Sequence, residues 1–207
     1  MFFYEIHVTV NCDNRIDEFK DVCAMLNVKP IIIDALKRSG DVLTDVMTSS
    51  IIRTADVTVE EAQAEMLRIS NAMILNGFKV SRGKIEVSSN HPDCPTIENE
   101  KDFGEGCHYE VHFPIICKED DVSILKKFAE ANDLHLSRSF FKIWGDGRFI
   151  QMMTFRSYDL RLEKFKDKVD EIVTDLYDHG YHCCDIPKIE YAIYDSNFSH
   201  DYEWIRG

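Results

Sequence analysis

The chain has no apolar run near the roughly 18 to 20 residues that a membrane-spanning helix needs, and its first residues pass straight into a strand pattern, with no positive region, apolar stretch or cleavage site. Those absences point to a cytoplasmic protein. Basic residues are scarce: 24 Lys and Arg stand against 37 Asp and Glu, a formal net charge of -13. An exterior of that sign repels polyphosphate backbones and anionic bilayers, which excludes duplex nucleic acid and membrane surfaces as partners and leaves open a local basic pocket for one small anion. No C-x-x-C pair occurs, and the seven cysteines (12, 23, 94, 107, 117, 183 and 184) are odd in number and scattered. Such usage suits reduced thiols better than a disulfide framework. His91, Cys94, Cys107 and His108 have the residue types of a zinc site. Cys183 and Cys184 are adjacent, and strand neighbours point to opposite faces, so they form no ready metal pair.

What the chain does have is a repetition. YEIH at Tyr4 to His7 returns as YEVH at Tyr109 to His112, a shift of 109 − 4 = 105. Met47-Thr48 returns at Met153-Thr154 after 106 residues, Asn76-Gly77-Phe78 as His179-Gly180-Tyr181 after 103, and Lys84-Ile85-Glu86 as Lys188-Ile189-Glu190 after 104. Val59, Ala62, Met66, Ile69 and Met73 fall at helical spacing, and adding 103 to each gives Leu162, Phe165, Val169, Ile172 and Leu176. Thr58 with Glu61 forms a capping-box pattern ahead of the first stripe, and Gly77 and Gly180 stand where each helix should stop.

Each half reads as strand, helix, strand, strand, helix, strand. In the first, strands at 3–10, 30–36, 42–52 and 79–88 surround helices at 15–27 and 58–76; in the second, strands at 108–116, 134–143, 148–156 and 186–194 surround helices at 120–132 and 159–179. The expected fold class is α+β, a tandem duplication of a ferredoxin-like βαββαβ unit, with two antiparallel sheets related by a pseudo-twofold. Residues 1–88 form the first repeat, the polar stretch 89–106 a linker, and 107–207 the second repeat with its tail. Asp195 and Asn197 follow the last strand, and with Trp204 they either close one end of the cleft or, the favoured reading, cap the sheet.

Strand alternation then sorts the side chains. Ile6, Val8 and Val10 face the helices, leaving Glu5, His7 and Thr9 on the opposite face; the second copy presents Glu110 and His112 in the same way. Lys84 with Glu86, and Lys188 with Glu190, join them from the last strands, and Thr48, Thr154 and Arg156 from the third. The bland reading is a solvated sheet face with ordinary cross-strand pairs such as Glu5 with Lys84. The functional one is a polar cleft between the lobes that binds a small anionic ligand of, for example, nucleotide type. There His7 and His112, with Glu5 and Glu110, act as acid and base while Lys84, Lys188, Arg156 and the threonine hydroxyls hold a phosphate or carboxylate. A second functional reading places a divalent metal among His7, Glu86, His112 and Glu190. A third makes the cleft a noncatalytic ligand- or protein-binding site filled by Met47, Phe140, Phe141, Trp144 and Met153. Composition specifies no cofactor.

Three resemblances bear on these readings. His7-Val8-Thr9 is an H-x-T pattern and resembles the two-histidine phosphoesterases, which implies hydrolysis at phosphoester bonds. The metal set resembles the vicinal-oxygen-chelate enzymes in ligand type. Across most of the second repeat, Tyr109-Glu-Val-His112, Leu136-Ser-Arg138, Met153-Thr-Phe-Arg156 and Tyr194-Asp-Ser-Asn197 look like a family of small bacterial and viral tandem-repeat proteins. That resemblance implies that Arg138, Thr154, Arg156, Asp195 and Asn197 belong to a recurring ligand-cleft pattern.

Overall fold

In the computed structural model, described for residues 3–37, 39, 41–53, 58–200 and 202 and for the backbone alone at 139–142, the element order follows the duplicated pattern. The first half runs β1 (Tyr4–Asn11), α1 (Ile16–Leu26), β2 (Lys29–Leu36), β3 (Val42–Ile52), α2 (Val59–Leu75) and β4 (Lys79–Ser88). The second runs β5 (His108–Cys117), α3 (Val122–Ala131), β6 (His135–Ile143), β7 (Phe149–Ser157), α4 (Leu162–Asp178) and β8 (Ile189–Asp195).

The helices form for the reasons their sequences carry. Thr58 Oγ1 accepts the Glu61 amide, the Glu61 carboxylate accepts the Thr58 amide, and these two bonds satisfy donors that a helix start leaves open. Ala62, Met66, Ile69 and Met73 of α2, and Leu162, Phe165, Val169, Ile172 and Leu176 of α4, are buried on one stripe each. Gly77 and Gly180 adopt φ of 79° and 80°, the left-handed conformation that ends both helices. Gly83 on β4 has a different role. A Cβ there would meet the Met66 sulfur at 2.5 Å, so the missing side chain lets α2 lie close against the sheet.

The sheet itself corrects the expectation of two separate ferredoxin-like sheets. The strands close into one antiparallel barrel in the order β1-β3-β2-β6-β7-β5-β8-β4. Within each half the first strand does lie between the third and the last, as expected, but the outer strands of the two halves then pair with each other. Asp34 pairs with Arg138 across the β2–β6 seam, and Val87 with Tyr191 across the β4–β8 seam. Edge strands expose unpaired amides and carbonyls, and pairing β2 with β6 and β4 with β8 removes the open edges. The apolar core therefore lies between the outer barrel wall and the helices, with Ile6, Val8, Ile85, Val111 and Phe113 among its buried members. The opposite strand faces, expected to flank a cleft between lobes, become the barrel interior.

Candidate functional site

The interior holds a cavity of about 360 Å³, within the range of small-molecule sites. Its wall is two-sided. Glu5, His7, Thr9, Lys84, Glu86, Glu110, His112, Thr154, Arg156 and Glu190, all expected from alternation, line it, whereas Ile31, Ile33, Met47, Ile150 and Met152 supply an apolar side. Both imidazoles thus reach one chamber from β1 and β5.

They are also joined through the side chains between them. His7 Nε2 lies 3.0 Å from Glu86 Oε2, the other Glu86 oxygen takes Lys84 Nζ, and the same ammonium reaches Glu110 Oε1 at 2.9 Å. Glu110 Oε1 in turn lies 3.2 Å from His112 Nε2. Glu110, 1% exposed, is the hub, because its Oε2 also accepts Arg156 Nε at 2.7 Å and faces His108 Nε2 at 3.3 Å. Burial would raise the pKa of Glu110 and Glu86, but the Lys84 ammonium, with Arg156 for Glu110 and His7 for Glu86, outweighs it and holds both below the ordinary carboxylate value. Lys84 is correspondingly raised: burial lowers it, and Glu110 and Glu86 more than compensate.

The two histidines differ in what their second nitrogen meets. His7 Nδ1 lies 3.1 Å from the Thr48 carbonyl oxygen, which only accepts, so His7 bridges two acceptors and suits the imidazolium form. Its pKa is raised, burial being overcome by Glu86. His112 Nδ1 lies 2.8 Å from Thr154 Oγ1, a hydroxyl that donates or accepts, so this imidazole is accommodated with or without its second proton. It too is raised, with burial overcome by Glu110. The His112 side chain is 38% accessible to water because it faces the cavity, against 10% for His7.

Glu190 is the odd carboxylate. Burial first, then the charges of Glu86, Glu110 and Glu5, push its pKa up to about 7, with His112 opposing the rise. Its ligand atoms, those of His112 and those of Glu110 lie within 4.8 Å of one another. This trio, and not His7, Glu86, His112 and Glu190, is the one metal-like grouping among the described residues. Its donor set suits a cation poorly, since the Glu110 oxygens are taken by Lys84 and Arg156 and an ammonium stands beside them. The four zinc-type residues disperse: His91 Nε2 meets Tyr4 Oη at 3.1 Å, Cys94 and Cys107 point at backbone carbonyls, and His108 joins Glu110.

Three expected ligand residues lie elsewhere. Thr48 pairs with Val8 on the outer face, and its hydroxyl accepts the Val8 amide at 3.2 Å. The strand match of 105 makes Ser49, not Thr48, the counterpart of Thr154, and a one-residue offset on a strand reverses the face. Arg138 turns outward, stacks its guanidinium 3.5 Å over the Phe149 ring and bonds Glu119. Lys188 precedes β8 and is exposed. Of the proposed cleft fillers, Met47 lines the cavity, Met153 is buried in the core, Trp144 is 41% exposed, and the side chains of Phe140 and Phe141 lie outside the described residues, as does Trp204.

Alternation would have found two residues that were not anticipated: Arg82 stands two before Lys84, and Asp45 two before Met47, and both line the cavity. Asp195 is less accessible to such reading. The β4–β8 register shifts between Ile85 and Glu86, and past that bulge Asp195 pairs with Lys84 and takes the Arg82 guanidinium, with Nε to Oδ1 at 2.9 Å. The tail beyond it bonds β4 through Ser196 Oγ and Asn197 Nδ2.

Neither a family model nor a curated protein matches the chain. Among solved structures, an aldoxime dehydratase bound to butyraldoxime aligns over 93% of this chain and 83% of its own, with TM-score 0.41 and 10% identity. A chlorite dismutase from Candidatus Nitrospira defluvii covers 92% and 90%, with TM-score 0.30 and 13% identity. A heme-binding protein from Thermus thermophilus also covers 92% and 90%, with TM-score 0.29 and 12% identity. Likeness at this level does not extend to chemistry.

Proposed function

We propose that the barrel binds one small molecule in its interior and moves a proton on it, with His112 and Glu190 as the exchanging groups. One observation carries this reading: the interior cavity places an apolar wall opposite a buried charge relay, and His112 is the relay member most exposed to the cavity, with a partner for either protonation state. A carboxyl titrating near 7 beside it supports the same assignment, because exchange is most efficient when donor and acceptor titrate near the working pH. Lys84 and Arg156 hold Glu110, with Glu86 and His7 bonded behind Lys84, and so orient His112.

Phosphoester hydrolysis by His7 and His112 draws less support. Arg82, Lys84 and Arg156, the cations that a phosphate would need, are each held by carboxylates of the barrel. The proposal is tested by following the ¹³C-methyl signals of Met47 and Met152 while millimolar small amphipathic molecules are added. Binders that shift both signals are expected. If no compound moves either signal, the interior is closed to ligands and the proposal fails.

A further inference from the structure

The cavity carries one acceptor that nothing in the described fold uses. Asp45 is 4% exposed, sits two residues before Met47 on β3 and lines the chamber. Its Oδ1 receives His200 Nε2 at 3.1 Å from the C-terminal segment, whereas Oδ2 is buried with no hydrogen-bond partner among the described residues. A buried carboxylate oxygen left without a donor is costly, and structures that keep one supply the donor from a ligand or an ordered water. The pairing of the other charges on the wall leaves that oxygen unclaimed. Arg82 is held by Asp195, Lys84 by Glu86 and Glu110, and Arg156 by Glu110, while Lys29 stands exposed at the rim. Among the described residues that line the cavity, the Asp45 and Glu190 carboxylates are thus bridged by no lysine or arginine, and Glu5 is occupied by Ser49 and His7. Ile31, Ile33, Met47, Ile150 and Met152 offer hydrocarbon and thioether surface for an alkyl body.

We infer that the ligand is a small organic ammonium, a protonated amine on a short apolar chain, and that Asp45 anchors its charged end. The inference rests on the interior binding site proposed above and replaces the anionic ligand expected from the sequence. An ammonium brings several donors to the orphaned oxygen, which a carboxylate or phosphate does not.

Three probes of matched length decide it: hexylammonium, hexan-1-ol and hexanoate, titrated at pH 8 against the intact chain with the Met47 and Met152 methyl signals as readout. Hexylammonium is expected to bind at least tenfold more tightly than the alcohol, and hexanoate more weakly than either. Asp45→Asn should reduce the ammonium affinity at least tenfold and the alcohol affinity far less, and retained alcohol binding shows that the chamber has kept its shape. Equal binding of ammonium and alcohol, or preference for hexanoate, overturns the amine inference and leaves the interior site standing. Preference for ammonium that survives Asp45→Asn removes Asp45 as the anchor. Should the variant fail to fold, the ordering of the three probes on the wild-type chain still decides the ligand class. If none of the three binds, the amine inference falls, and the wider compound series separately judges the site.

Discussion

The two halves of the barrel place matching strands around one cavity and yet put opposite chemistry on them. In the first half β4 carries Arg82, Lys84 and Glu86 inward, so Glu86 has an ammonium and an imidazole beside it. In the second half the matching Lys188 lies before β8 and is exposed, so Glu190 has no ammonium of its own and titrates near 7. Lys84 instead crosses the β4–β8 seam to Glu110. The first-half counterpart of Glu110, Glu5, accepts the Ser49 hydroxyl at 2.6 Å and stands 3.6 Å from His7, with no such convergence of cations. Duplication thus supplied matching strands, and with Lys188 displaced the one inward lysine, Lys84, serves Glu86 and Glu110 across the seam while Glu190 is left able to titrate.

Breaking the hub should have the largest effect. Glu110→Gln leaves Lys84 and Arg156 buried without their shared carboxylate and is expected to cost about 3 to 5 kcal/mol, whereas Glu5→Gln should cost under about 1 kcal/mol. Urea denaturation at pH 7 reads both, and equal losses would mean that the halves are not differentiated.

A smaller and pH-dependent effect sharpens the comparison at Glu190. Its folded pKa is raised from the ordinary 4.5 to about 7. The folded state therefore binds the proton more tightly than the unfolded chain, and its contribution is fully present below about pH 4.5 and lost as pH rises through about 7. Glu190→Gln should be more stable than wild type at pH 8, by up to about 3 kcal/mol, and the difference should vanish near pH 4. A difference independent of pH would show that the carboxyl is not perturbed. Glu86→Gln, whose carboxyl is depressed, should show the opposite sign at pH 7.

The smallest effects belong to residues whose sequence pattern promised a site but whose side chains lie outside it. Lys188→Met is expected within about 0.5 kcal/mol of wild type, and Arg138→Ala to lose about 0.5 to 1 kcal/mol through the Phe149 stacking. Neither should alter ligand-induced shifts at Met47 and Met152. A change in those shifts for Lys188→Met would return that lysine to the chamber.

Much of the interior was legible before the fold was known. Period-two alternation alone sends Glu5, His7, Thr9, Lys84, Glu86, Glu110 and His112 to the face opposite the helices, since that face is fixed by neighbours such as Ile6, Ile85 and Val111, all fully buried. Where reading failed, the causes were local. Matching Met47-Thr48 to Met153-Thr154 placed Thr48 one residue out of step and so on the wrong face. Lys188 was counted within a strand that begins at Ile189. Asp195 turns inward because of a bulge, which no pattern in the residues announces.

The sequence by itself determined the element order, the duplication and which side of each strand is apolar, because these follow from spacing along the chain and from the need to bury hydrocarbon. Closure of the strands into a single barrel was decided only in three dimensions, since it depends on edges more than 100 residues apart meeting, as Asp34 meets Arg138. Closure also created the charge relay. Lys84 and Glu110 reach one another only across a seam, and only in the barrel interior do burial and neighbouring carboxylates move a carboxyl such as Glu190 so far.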